Sequence, residues 1–271
     1  MKQIKKFFAV MLAVAMVITM APATFCEGIG SVCTVYAASD SVAATGQCGD
    51  NLTYTVTGDN ESGYAIFITG TGDMYDYGLD EWASPWCDYN FTSITIGNKV
   101  TSIGAYAFVT NGYKVKLTIG KKVKNIKESA FSMTGIKGTL TIPASVQTIG
   151  EAAFQGTSIT KLVLGKGVKT LGDYAFCDCT ALKTVDASKS SKLKTIGNVC
   201  FESDEKLKTV KINANKLTKV GNESFKLNSD GAKIKVTIIA KTKSKYKKAV
   251  KLIKGGEAYG YNKYKFTYKK G

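Results

Sequence analysis

Two stretches of the sequence, LTIPASVQTIGEAAF at Leu140–Phe154 and LVLGKGVKTLGDYAF at Leu162–Phe176, follow one pattern that decides the fold. Each begins with apolar residues at positions i and i+2, continues with a valine and, three residues later, an isoleucine or leucine, and ends in Gly-x-x-Ala-Phe. Apolar residues at i and i+2 lie on one face of a short strand. The pattern therefore predicts two short strands in each copy, with the final Ala and Phe filling the interior between them.

The phenylalanine that ends this pattern recurs at intervals of 23, 23, 22, 25 and 24 residues, at Phe108, Phe131, Phe154, Phe176, Phe201 and Phe225. The copy ending at Phe131 has Lys127 in place of the glycine, and the last two copies carry extra residues before Leu193 and Leu217. A unit this small cannot enclose a core alone, so the units must stack about 4.8 Å apart. This predicts a solenoid of short parallel strands, turns and short helical turns, with a column of phenylalanines inside.

These repeated phrases resemble the leucine-rich repeats of BspA-like bacterial surface proteins. The resemblance covers roughly Ile94 to Ile238, and the preceding stretches CGDNLTYTV, AIFITGTGDMYDYG and SPWCDYN resemble the segment before the repeats in many members. It implies a leucine-rich-repeat solenoid in a secreted or wall-associated binding protein. An adhesive role is assigned to some members, and the resemblance implies no catalytic residue.

The chain is predicted to have four segments, beginning with a signal peptide at residues 1–37. Lys2, Lys5 and Lys6 precede an apolar run, which is the order found in secretory signals. We prefer cleavage after Ala37 to an uncleaved anchor, and we expect no transmembrane segment after cleavage. An acidic N-terminal cap is predicted at 38–92, six leucine-rich repeats plus a final strand at 93–238, and a basic C-terminal cap at 239–271.

The two caps are predicted in more detail from local patterns. Strands around Leu52–Thr57 and Tyr64–Thr69, joined by a turn-rich stretch, indicate a β-hairpin in the N-terminal cap. Lys241–Lys254 has apolar residues at helical spacing and is followed by two glycines, which indicates a capping helix. A short aromatic strand is expected after it, at Tyr264, Phe266 and Tyr268.

Composition excludes much chemistry. The chain has 271 residues and a formal charge of +16, with 37 basic residues that are all lysine, 21 acids and no histidine. Without histidine, the chain lacks the commonest general base and the commonest metal ligand. Without arginine, it lacks the side chain that binds guanine or phosphate through two parallel hydrogen bonds. We expect no enzyme activity and no cofactor, and a hydrolase is the least favoured reading. Nucleic acid is not expected as a partner, because the chain is predicted to be exported and lacks arginine.

The segment from Ser39 to Asn98 has nine acids and no lysine, whereas Lys99 to Gly271 has 34 lysines and 11 acids. Between Asp73 and Phe91 the sequence is rich in both aromatic and acidic residues. Aromatic faces beside carboxylates suit a sugar, and carboxylate oxygens suit calcium. We favour a simpler interpretation than a sugar or calcium site, in which these aromatic side chains pack on the first repeat.

Cleavage after Ala37 leaves five cysteines in an oxidising compartment, namely Cys48, Cys87, Cys177, Cys179 and Cys200. A disulfide between Cys48 and Cys87 is predicted because these residues bracket the first mature segment. Cys177-Asp178-Cys179 has the wrong spacing for a paired zinc knuckle. Its cysteines are expected to be buried as small apolar residues.

Two surfaces are candidates for binding. The first, called here the outer stripe, consists of outward positions on the first strand of each repeat, which are Thr95, Thr118, Thr141, Val163, Asp186 and Lys211. The second is a ridge of lysines in the turn after the first strand and at the start of the second, which are Lys99, Lys121, Lys122, Lys124, Lys166, Lys169 and Lys194. Repeat proteins often bind macromolecules on an extended face. Aligned lysines attract anionic polymers, although they also keep a stacked sheet soluble.

The function predicted first is a secreted or cell-surface binding or adhesion module that recognises a protein or a glycan through the outer stripe. The alternative is a structural role, in which the lysine ridge retains the protein on an anionic cell wall. The expected partners are therefore a host or bacterial surface protein, or an anionic glycan or wall polymer.

Overall fold

A computed structural model of the chain describes residues 41–80, 83–110, 112, 114–227, 233–256 and 263–271. In chain order the elements are β1 (Val42–Gly49), β2 (Leu52–Asp59), β3 (Gly63–Gly70), β4 (Gly72–Asp73), β5 (Phe91–Ile96), β6 (Val100–Ile103), β7 (Lys116–Thr118), β8 (Asn125–Ile126), β9 (Lys137–Thr141), β10 (Thr148–Ile149), β11 (Ser158–Val163), β12 (Thr170–Leu171), β13 (Thr184–Ala187), β14 (Thr195–Ile196), β15 (Thr209–Asn213), β16 (Lys219–Val220), β17 (Lys233–Ala240), α1 (Lys243–Gly255) and β18 (Lys263–Lys270). The predicted signal peptide lies outside the described residues.

The strands form a parallel β-solenoid of the predicted kind. The second strands of the repeats build a seven-stranded sheet in the order β4-β6-β8-β10-β12-β14-β16. The first strands build a six-stranded sheet, β9-β11-β13-β15-β17-β18, and the end of a five-stranded sheet, β1-β2-β3-β5-β7. The pairings between repeats are parallel, and apart from a register shift between β9 and β11 they join equivalent positions, such as Leu162 with Val185. The predicted leucine-rich-repeat solenoid is therefore confirmed.

The core contains the predicted column of phenylalanines. Rings of consecutive repeats stack with centroids 5.2 to 5.5 Å apart and planes within 11° of parallel. Because parallel rings in contact lie closer than this, each ring is offset from its neighbour, the geometry that aromatic pairs prefer. The stack runs without interruption from Phe108 to Phe225.

Trp86, in the N-terminal cap, extends this column by one ring. Its indole stacks on Phe108 with centroids 5.4 Å apart, and its Nε1–H donates to the carbonyl of Ala107 at 2.7 Å. Tyr54 and Tyr77 contact the indole edge-to-face from the cap side, at 4.9 and 5.3 Å between centroids. The cap thus closes the core with an aromatic cluster.

Most copies have glycine at the repeated position because neighbouring copies lie so close there. A Cβ added to Gly172 would lie 2.5 Å from the carbonyl carbon of Gly150. The backbone of Gly172 is not left-handed, so the close approach and not the backbone conformation favours glycine here. Where the glycine is replaced by Lys127, the side chain runs outward and forms an ion pair with Asp76 of the N-terminal cap, at 2.8 Å.

Each repeat instead has a left-handed residue two positions before its column phenylalanine. These residues have φ between 48° and 57°, and they are Tyr106, Ser129, Ala152, Tyr174, Val199 and Glu223. Such φ values cost a residue with a Cβ about 1–2 kcal/mol, and a β-branched residue is the least suited to them. The backbone of these turns is therefore set by the stack and not by local preference.

We expect Val199→Gly to stabilise the protein by about 1 kcal/mol, because glycine relieves the strain at a side chain that is only partly buried. The midpoint of urea denaturation, followed by circular dichroism, measures the change. Thr195→Gly in β14 of the same repeat is the control and should destabilise, since glycine weakens a regular strand. A lower midpoint for Val199→Gly than for the wild type would contradict the expectation.

Both caps contain their predicted elements. The N-terminal hairpin pairs β2 with β3, and β1, which was not predicted, adds a third antiparallel strand. Helix α1 begins after Thr242, whose side chain accepts a hydrogen bond from the Lys245 amide at 3.2 Å. The expected aromatic strand is β18, which pairs in parallel with β17. Among the residues that the structure describes, no helix has the length and apolar character needed to cross a membrane.

Candidate functional site

The outer stripe lies on the surface of the first-strand sheets, with its members in register. Val163 is aligned with Thr141 on one side and with Asp186 on the other, and Asp186 is aligned with Lys211. Thr95 is likewise aligned with Thr118 in the preceding sheet. All six positions are exposed or partly exposed. The same register adds Phe67 before Thr95, and Thr237 and Thr267 after Lys211.

The stripe is interrupted between β7 and β9. An isolated bridge between Val115 and Ile136 joins these strands, but Thr118 and Thr141 are not paired. The segment from Ile136 to Leu140 is two residues longer than the equivalent segment from Val115 to Leu117. Gly138, with a φ of 77°, accommodates the additional length and breaks the register.

Asp186 is the acidic position of the stripe, and its neighbours keep it ionised. Partial burial alone raises the pKa of this carboxyl, but hydrogen bonds from Ser188 and the nearby charges of Lys211 and Lys161 outweigh that effect and lower its pKa. The Ser188 amide donates to Oδ1 at 3.0 Å. The centre of the stripe therefore presents a fixed negative charge beside lysines.

The second surface is a groove beside the start of the second strands, called here the lysine groove. It is an open cleft of about 600 Å³. Five lysines line it, of which four were predicted as ridge residues and one, Lys192, was not. The other lining residues are small or neutral. The full lining is Lys121, Lys122, Lys124, Lys169 and Lys192 with Thr101, Ala144, Ser145, Gln147 and Gly167. The other three predicted ridge residues, Lys99, Lys166 and Lys194, are exposed but do not line it.

Lys192 was missed because extra residues precede it in its copy. Leu193 stands where other copies have Val123 and Val168, so Lys192 is equivalent to Lys122. Aligning the copies on this buried position, and not on the preceding strand, identifies it.

The ammonium groups of the lysine groove have no carboxylate partner in the described part of the chain, where the ion pairs join Lys127 to Asp76 and Lys226 to Glu202 and Glu223. Lys169 donates instead to the neutral Oε1 of Gln147 at 2.7 Å. One acid adjoins the lining, since Thr101 donates to Oδ1 of the exposed Asp73 at 2.5 Å. The groove therefore carries a net positive charge, with five lysines that form no ion pair among the described residues.

In the acidic-aromatic segment of the N-terminal cap, of which residues 81 and 82 lie outside the described part of the chain, most of the described aromatic side chains pack inward. Trp86 and Phe91 are fully buried, and Tyr77 and Tyr89 pack against the core. Tyr75 is 40% exposed and donates to Asp50 at 3.1 Å. These contacts support the hypothesis that the aromatic side chains of this segment pack on the first repeat.

Four of the five cysteines that the structure describes are buried, and Cys87 is exposed. Cys48 is a fully buried thiol and Cys87 lies at the surface, so the predicted bridge between them is not present here and stays a prediction. Burial raises the pKa of the thiols of Cys48 and Cys177 to about 12, and raises the pKa values of the thiols of Cys179 and Cys200 as well. Among the described residues, no group of three or more Cys, Asp or Glu is arranged to hold a metal ion.

Comparison with solved structures gives bacterial leucine-rich-repeat proteins. A leucine-rich repeat protein from Bacteroides ovatus is 19% identical over 71% of this chain and 64% of that chain, with a TM-score of 0.46. One from Eubacterium ventriosum is 19% identical over 73% of this chain and 68% of that chain, with a TM-score of 0.44. A leucine rich cell surface protein from Faecalibacterium prausnitzii is 14% identical over 72% of this chain and 95% of that chain, with a TM-score of 0.25. The chain thus spans less than two thirds of the Bacteroides ovatus protein.

No curated protein matches the sequence. The family model of the BspA type leucine rich repeat region matches residues 84–156 and 138–246, in six copies. These residues contain the whole phenylalanine column and every position of the outer stripe. The chain therefore belongs to the BspA-type leucine-rich-repeat family.

Proposed function

We propose that this protein is an exported binding module that recognises a partner protein through the outer stripe. The observation that carries the proposal is the register of that face. From Thr141 to Lys211, equivalent positions of successive strands lie side by side about 4.8 Å apart and are exposed or partly exposed, which is the extended kind of surface that repeat proteins use for macromolecules. A rigid face of this kind binds with little loss of backbone entropy.

A protein is favoured over a glycan on this face because the six stripe positions have no aromatic ring on which a sugar could stack, and the same register adds only Phe67, at one end. The fixed charge of Asp186 beside Lys161 and Lys211 supplies the mixed polar surface that orients a protein partner. Adhesion to another cell is one consequence of such binding.

Leucine-rich-repeat solenoids of this family are typically binding modules without catalytic activity. We accordingly propose no reaction and no cofactor for this chain. An extracellular or cell-surface location is proposed on the family and on the predicted signal peptide.

The test uses the purified protein and a protein that it binds on intact cells or in extracellular matrix. We expect the double variant Thr141→Glu and Val163→Glu to weaken that binding about tenfold or more, because two buried charges at an interface are costly. The control is Thr148→Glu with Thr170→Glu, a register-matched pair on the second-strand sheet. Equal binding by both double variants would show that the outer stripe is not the interface.

A further inference from the structure

We propose that the lysine groove is a second, separate binding site, for a flexible linear polymer that carries phosphate or sulfate groups. The site goes beyond the proposed function, since the groove lies beside the second strands and shares no residue with the outer stripe. The repeat pattern places lysines in some copies and omits them in others, and this difference creates the site.

The groove is built by a local change in the repeat. At the position just before the buried valine or leucine, successive copies have Lys122, Ser145, Gly167 and Lys192. The two central copies therefore have small side chains where the copies on either side have lysine. This leaves a depression with a lysine at each end and no side chain in the middle long enough to fill it.

The floor of this depression is close-packed backbone. A Cβ on Gly167 would overlap the carbonyl oxygen of Ala144 in the preceding copy. The Gly167 position thus cannot take a larger residue without displacing the neighbouring copy, and the depression is a fixed feature of the stack. A ligand in it would contact main chain and the small side chains of Ala144 and Ser145.

The main-chain positions of the lysines are held at regular spacing by hydrogen bonds. The Gln147 amide donates to the carbonyl of Lys124 at 2.7 Å, and the Lys169 amide donates to the carbonyl of Gln147 at 2.8 Å. Lys124 and Lys169 are therefore two strand steps apart, about 10 Å, and Lys122 and Lys192 three steps apart, about 14 Å. The side-chain bond from Lys169 to Gln147 leaves two of its three ammonium protons for a ligand.

This spacing suits a polymer better than a single ion. Lysines whose main-chain positions are this far apart act together on one phosphate mainly through screened attraction. A chain that runs across the strands, parallel to the solenoid axis, can place one anion near each lysine and release a counterion at each contact. Nucleic acid is a poor candidate, because the lining has neither arginine nor an aromatic ring on which a base could stack.

The experiment measures the affinity of the purified protein for fluorescently labelled long-chain polyphosphate and for heparin, by anisotropy at about 50 mM salt. We expect both to bind, and to lose affinity roughly 100-fold between about 50 and 200 mM salt, as four or five ion contacts imply. Polyphosphate binding alone would assign a phosphate-bearing ligand, and heparin binding alone a sulfated one. Equal binding of single-stranded oligo-dT, or no binding of either polymer, would overturn the proposal.

A matched pair of variants separates the groove from net charge. Lys121→Gln, Lys122→Gln and Lys124→Gln together are expected to weaken polyanion binding about tenfold or more. Lys243→Gln, Lys247→Gln and Lys251→Gln, on exposed positions of α1, remove the same charge elsewhere and should have a much smaller effect. Equal losses in the two triple variants would show that the lysine groove is not a site.

A third variant fills the groove without altering its charge. Ala144→Trp places an indole on the exposed floor and should weaken binding of the polymer at least as strongly as the groove triple variant. Unchanged binding by this variant would contradict the site. None of these substitutions touches the outer stripe, so they should leave binding of the partner protein unchanged, and the two proposals can fail independently.

Discussion

Replacing Phe154 by alanine is expected to lower the free energy of unfolding by about 3–5 kcal/mol. Phe154 lies in the middle of the phenylalanine column, fully buried, and stacks on Phe131 at 5.2 Å and on Phe176 at 5.3 Å. Alanine removes the buried ring and both stacking contacts at once. The void cannot collapse easily, because the strands on either side fix the spacing between copies.

The loss should be visible at both ends of the solenoid. Circular dichroism reports on all strands, whereas tryptophan fluorescence reports on the N-terminal cap, because both tryptophans, Trp82 and Trp86, belong to that segment and Trp86 stacks on Phe108. If the stack couples the copies, both transitions move to lower urea concentration together. Met133→Ala, which truncates a side chain that is 60% exposed, is the control and should change stability by no more than about 0.5 kcal/mol. An unchanged midpoint for Phe154→Ala would show that the column does not stabilise the fold.

The column could be predicted from sequence because one residue type recurs at nearly constant spacing. Once Phe108 to Phe225 are aligned, the short strands before them follow from apolar residues at i and i+2. Trp86 could not be placed in the same way, since it precedes the first copy and has no equivalent among the repeats. The structure shows that a different aromatic residue, from a different local structure, begins the stack.

The lysine groove was only partly predictable, because a repeat alignment gives the row of a side chain and not the depth of the surface beneath it. Lys166 and Lys194 occupy ridge positions but do not line the groove. The groove exists because the residues at Ser145 and Gly167 are small, and the positions of the lysines alone do not indicate this. The left-handed residues were also hidden, because the sequence uses Ala152 and Val199 where glycine would have indicated such a turn.

Asp204 is an acidic residue whose burial no sequence pattern predicted. It stands three positions after Phe201, where the preceding copies have Thr134, Thr157 and Cys179. Each of those three side chains donates to a main-chain carbonyl of a column phenylalanine, Thr134 to Phe108 and the other two to Phe154. A carboxylate at this position has no proton to donate.

The environment of Asp204 therefore favours its neutral form. The residue is fully buried, and within the described part of the chain neither carboxylate oxygen has a hydrogen bond of ordinary geometry. Burial raises the pKa of this carboxyl well above its usual range; the nearby Cys179 amide opposes the shift, and the charge of Asp178 adds to it. The folded state thus binds a proton here more tightly than the unfolded chain does.

We expect Asp204→Thr to stabilise the protein at neutral pH by about 1–3 kcal/mol, the cost of a buried polar group without a partner. Threonine restores the donor that Thr134 and Thr157 provide in equivalent positions. Because the folded pKa of Asp204 is raised, the wild type loses stability as the pH rises from about 4, the pKa of an unfolded aspartate, through the folded pKa. The gain from the substitution should accordingly be small near pH 4 and grow towards neutrality.

Thermal unfolding of the wild type and of Asp204→Thr, measured at about pH 4 and pH 7, tests this dependence. Glu205→Thr is the control; it removes an acid from the adjacent exposed position and should show neither the gain nor its pH dependence. A gain of equal size at both pH values would mean that threonine acts through packing alone and that Asp204 is not held protonated. A loss of stability at pH 7 would mean that the carboxylate has a partner in the folded protein, which would place a charged interaction inside the stack of repeats.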